Sequence, residues 1–106
     1  MSIFSPPEYI LRARKILEDV EAGLMTVGNQ ANFALVHLES TQKVLESMRR
    51  LLNCCTLEPE VIDHLLKSLS EMVTSAERVD EDDFLDIMLS LNLYIQKVAA
   101  HYNTDF

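Results

Sequence analysis

The chain has 106 residues, 48% apolar and 25% charged, enough for one domain with a core of its own and no need of disulfide staples. Its net charge of −8 falls entirely in residues 54–106, where three Lys/Arg face eleven Asp/Glu, while residues 1–53 balance six against six. An acidic half repels a phosphate backbone, so the composition argues against direct nucleic-acid binding and for a protein partner with a basic surface.

Only two glycines occur, Gly23 and Gly28, too few for a hairpin-rich fold. The expected class is all-α: one domain over residues 1–106, an antiparallel bundle of about four helices that self-associates. The start, Met1–Pro7, has neither a basic stretch nor a long apolar run, and the longest unbroken apolar run, Phe33–Val36, is far short of a membrane span. Cys54 and Cys55 are adjacent, too close for ordinary disulfide geometry, and reduced thiols fit a cytoplasmic location.

Ser5-Pro6-Pro7-Glu8 reads as a capping box with proline in the first turn, opening helix 1 over residues 6–27. Arg14–Glu18 and Lys15–Asp19 are spaced to pair along its outer face. An apolar seam starts here and steps by threes and fours: Ile10, Ala13, Leu17, Val20, Leu24, Val27, Ala31, Ala34, Leu38, Thr41, Leu45, Met48, Leu52. Thr41 is its sole polar member, and such a seam marks helices packed along a partner helix.

The seam keeps phase through Gly28-Asn29, which leaves two readings of that point. Gly28 and Asn29 can end one helix and cap the next, giving helix 2 over residues 30–53. Alternatively helices 1 and 2 are fused into one rod of about 70 Å, which requires a second copy to cover it. Arg49 and Arg50 are expected in the last turn of helix 2, where cations suit the dipole, and Phe33–Val36 is expected to be buried on every side.

Pro59 starts helix 3, residues 58–78, with the stripe Ile62, Leu65, Leu66, Leu69, Met72, Val73 and Ala76. Asp80 caps helix 4, residues 81–102, with Glu81, Asp82 and Asp83 in its first turn and Lys97 and His101 near its end. Residues 103–106 read as a tail. Phe84, Ile87, Met88, Leu91, Tyr94, Ile95, Val98 and Tyr102 form the core face of helix 4, and Leu85, Leu89 and Leu93 make a second, narrower stripe outside it.

No residue pattern names a chemistry. His37, His64 and His101 sit on three helices without metal-ligand spacing, and the Glu60–His64 spacing is that of a surface pair. Cys55 with His64 has neither a third group nor an oxyanion site, and the second half has no glycine for a phosphate loop. Phe84 occupies a ligand position of a would-be calcium loop. The methionines Met25, Met48, Met72 and Met88 read as core gap-fillers.

Neither enzyme, cofactor nor metal is therefore expected. The surplus leucine stripe, with Asp82, Asp83 and Asp86 beside it, points to a non-enzymatic interaction module that regulates, sequesters or inhibits another protein, as antiactivators, inhibitors and chaperones of similar composition do. The alternatives are a homodimeric scaffold that consumes the stripe by self-pairing, and an acidic mimic of nucleic acid that fills a cationic groove.

Overall fold

The computed structural model describes residues 6–102, which form four helices and no strand: α1 Glu8–Gln30, α2 Leu35–Cys54, α3 Pro59–Glu77 and α4 Glu81–His101. The expected Ser5 cap and the tail at 103–106 lie outside the described residues. Asp80 caps α4 as its sequence position predicts, its carboxylate accepting the Asp83 N–H at 3.1 Å.

Each helix packs against two others: α1 against α2 and α3, and α4 against α2 and α3. Arg49 of α2 pairs with Glu21 of α1, and Arg14 of α1 donates to the Leu52 carbonyl of α2, so these two helices run antiparallel. Ser75–Asp83 and His64–Tyr94 set α3 antiparallel to α4 in the same way. His37–Glu81 and Thr41–Met88 set α2 parallel to α4.

The chain must therefore cross the diagonal between α2 and α3, which do not pack on each other. It does so over residues 55–58, where Leu57 is fully buried and its carbonyl accepts the Tyr9 hydroxyl at 2.6 Å. Tyr9 opens α1 and Leu57 precedes α3, so α1 and α3 start at the same end.

The seam positions Ile10, Ala13, Leu17 and Leu24 of α1 are buried, as are Leu38, Thr41, Leu45, Met48 and Leu52 of α2. Thr41 is admitted because its hydroxyl donates to the His37 carbonyl at 2.8 Å, which satisfies it inside its own helix. Ile62, Leu65, Leu69, Met72 and Ala76 supply the α3 share of the core.

The first helix ends three residues later than expected. It runs through Gly28 and Asn29 to Gln30, and the turn follows over residues 31–34. Asn32 takes a left-handed φ of 59°, with Asn32 N–H bonded to the Asn29 carbonyl and Phe33 N–H to the Gly28 carbonyl. That is a Schellman termination with asparagine in the position usually held by glycine.

Gly28 has another role: a Cβ there would meet Leu38 Cδ2 at 2.6 Å, so glycine lets α2 approach α1 closely. Because the turn lies later, Phe33 is buried while Ala34, Leu35 and Val36 are exposed, contrary to the expected burial of the whole run. Arg49 and Arg50 likewise fall short of the last turn of α2, which extends to Cys54. Lys15 pairs with Asp19 at 3.3 Å as expected, whereas Arg14 turns away to the Leu52 carbonyl.

The α3–α4 turn repeats the termination. Val79 has φ 56°, its N–H bonds the Ala76 carbonyl, and Asp80 N–H bonds the Ser75 carbonyl. A β-branched residue is sterically poor in this region.

Three substitutions test these assignments by urea unfolding. Gly23→Ala, in open space on α1, should gain about 0.5–1 kcal/mol from helix propensity. Gly28→Ala should instead lose about 1 kcal/mol, since overpacking of about 1–3 kcal/mol outweighs that gain. Val79→Asn should gain about 1 kcal/mol by relieving the left-handed strain at an exposed site.

Candidate functional site

The 3.6-residue period leaves α4 with more apolar residues than its core face can hold. Phe84, Met88, Leu91, Ile95 and Val98 are buried between α2 and α3. Leu89 and Leu93 point outward, 56% and 64% exposed, while Leu85 leans against the core and is half-buried. Asp82 and Asp86 stand exposed beside the stripe, and the α2 start adds exposed Leu35 and Val36.

Asp83 differs from its acidic neighbours. Its carboxylate accepts from the Ser75 hydroxyl and from the Arg78 guanidinium, the latter at 2.8 Å, and so ties the end of α3 to the start of α4. Of the residues expected in the site, Leu89, Leu93, Asp82 and Asp86 share the solvent face, Leu85 bridges it to the core, and Asp83 is engaged within the fold.

A second polar centre joins α2 to α4. Glu81 accepts the Ala34 N–H at 2.9 Å and lies 2.6 Å from His37 Nδ1. An ionised carboxylate only accepts, so Nδ1 carries the proton in this contact. The His37 hydrogen bond, the Ala34 N–H and the His37 charge hold the Glu81 carboxyl below its ordinary value, against an opposing push from desolvation. The start of α2 has no side-chain cap of its own, and Glu81 supplies to it what Ala34 cannot.

Beside this pair, Phe33 and Phe84 meet edge to face with ring centroids 5.1 Å apart. His64 does not turn to Glu60; its ring stacks on Tyr94 at 3.9 Å between centroids. Burial, and secondarily the nearby Tyr102, pushes the Tyr94 hydroxyl pKa up.

These cross-helix contacts carry no signal in the sequence, because the His37–Glu81, Phe33–Phe84 and His64–Tyr94 partners lie 44, 51 and 30 residues apart and share no common spacing. Among the described residues no group of three or more His, Cys, Asp or Glu is placed to hold a metal ion. None of the four helices is long and apolar enough to cross a membrane. No family model, curated protein or solved structure matches the chain.

The Glu81 contacts predict an acid-sensitive joint. A carboxyl whose folded pKa is depressed contributes stability above its unfolded pKa and loses it as pH falls through the folded value. Glu81→Gln should therefore lower the melting temperature at pH 7, and the deficit should shrink as the pH is taken down through the carboxylate range. Thermal melts of both proteins across that range make the measurement; a deficit that is constant with pH would assign the loss to packing alone.

Proposed function

We propose that this chain is a non-enzymatic protein–protein interaction module, a four-helix bundle whose outer α4 face binds and thereby regulates, sequesters or inhibits another protein. The observation that supports this reading is the pair Leu89 and Leu93, large apolar side chains more than half exposed one turn apart on a helix whose core face is already filled.

Asp82 and Asp86 flank the pair, which favours a partner presenting an apolar ridge with basic residues beside it. In a two-fold self-pairing through this stripe with the two α4 helices parallel, the copies of Asp82 and Asp86 would face one another and like charges there would oppose closure, whereas an antiparallel pairing centred on Leu89 keeps them apart. The homodimeric scaffold is the second reading, since the same leucines can pair with themselves at high salt. A cytoplasmic, reducing setting is part of the proposal under either reading, and two adjacent cysteines too close for ordinary disulfide geometry favour it.

Leu89→Asp should leave the helical circular dichroism signal of the isolated chain intact and weaken association by more than about 2 kcal/mol, as at a hot spot. Leu17→Asp is the control: Leu17 is buried in α1, and an unpaired charge there should unfold the chain. Loss of helicity in Leu89→Asp comparable to the control would place the stripe in the core. Concentration-dependent light scattering of both forms separates a self-paired stripe from one that meets a different protein.

A further inference from the structure

The end of α2 carries two sulfurs side by side. Cys54 is the last residue of α2 and exposed; Cys55 leaves the helix in extended conformation, φ −129° and ψ 146°, and is half-buried. That change of backbone direction brings the two Sγ atoms to 2.9 Å, in S–H···S contact. Both residues line one cleft of about 420 Å³ at the crossover end, walled by Pro6, Pro7, Ile10 and Arg14. Arg14 is fixed there by Nε and Nη2 donating to the Leu52 carbonyl at 3.2 and 3.0 Å, and Leu57 fixes the floor of the crossover by its burial.

The covalent geometry decides what such a pair can take. Neighbouring Cα atoms are about 3.8 Å apart, shorter than the roughly 4.4–6.8 Å that an unstrained disulfide spans. A one-atom bridge does not share that strain: bonds of about 2.3 Å from a soft central atom reach sulfurs roughly 3.5 Å apart, a small opening of the observed separation. The soft, polarisable sulfurs select a thiophilic centre over a hard cation.

We infer that Cys54 and Cys55 form a dithiol site for a trivalent organoarsenic-type centre, seated in the cleft beside Arg14. The chemistry balances without an oxidant. An arsenic(III) oxide, R–As=O, takes both thiols to form two As–S bonds, the As=O bond is broken, and the two thiol protons leave with the oxygen as one water. Arsenic stays trivalent and the sulfurs keep their oxidation state.

The test uses the full chain and phenylarsine oxide. Native mass spectrometry should show one arsenical per chain with loss of one water, two thiols fewer on titration, and release by a dithiol but not by excess monothiol. Cys54→Ser and Cys55→Ser should each weaken retention at least about 100-fold, because the second As–S bond forms at high effective concentration only when both sulfurs are present. Should Cys55→Ser lose helicity, the exposed Cys54→Ser still gives the comparison.

Adjacent cysteines are also present in the unfolded chain, so the melting temperature decides whether the fold builds the site. A ligand that prefers the folded state raises it, and saturating arsenical should do so. Monothiol-resistant retention by either single variant, or a melting temperature left unchanged or lowered, would overturn the assignment.

Discussion

The structure depends on how the chain crosses from α2 to α3. These helices sit on opposite corners, so the connection cannot be a tight hairpin and must pass over the end of the core. A loop crossing there exposes backbone polar groups and leaves core side chains unsealed unless something fills the gap. Leu57 fills it, buried completely, and the Tyr9 hydroxyl satisfies the carbonyl that this burial would otherwise strand. Burying one leucine is worth about 2 kcal/mol, and the hydrogen bond adds about 1 kcal/mol. Those few residues fix which helices become neighbours, and hence which face of α4 is left outside.

The opposite end is closed by other means. Both its turns are Schellman terminations with a non-glycine residue in the left-handed region, Asn32 in one and Val79 in the other. Asparagine tolerates that conformation and valine does not, so the α3–α4 turn is held against local preference by what surrounds it. The holders are visible: Asp80 caps α4, Asp83 receives Ser75 and Arg78, and Phe84 packs on Phe33. One end is therefore sealed by an apolar plug whose connecting backbone takes hydrogen bonds from the Tyr9 and Tyr102 hydroxyls, the other by carboxylates bound to backbone and to neighbouring helices.

The sequence made the helices and most of the core legible, because burial follows a period that the side chains record: nine of the thirteen seam residues are buried. It misplaced the first turn because glycine has two uses, and Gly28 serves close approach to Leu38 within a helix, not a change of direction. Asn32, the residue that does turn the chain, was hidden beside an apolar run, and with the shift Leu35 and Val36 moved from core to surface. The leucine stripe of α4 was legible for the same reason as the core. The Glu81, Asp83 and His64 contacts were not, since pairs formed between helices leave no periodic trace and one acidic residue in a first turn looks like another. Asp83 and Asp82 differ only in the angle at which the helix presents them.

That angular difference orders the α4 surface. Successive positions rotate by about 100°, so Glu81 faces α2, Asp83 faces α3, and Asp82 between them is carried outward. The same rotation turns Leu85 partly inward while Leu89 and Leu93 drift further round to solvent. A straight helix with leucines at every fourth position cannot keep all of them on one side of the core boundary, because four residues exceed one turn by about 40°. The stripe begins half inside the fold and ends outside it. Leu85 thus couples the exposed pair to the core, and a partner gripping Leu89 and Leu93 would pull on the same turn of α4 that Glu81 ties to α2.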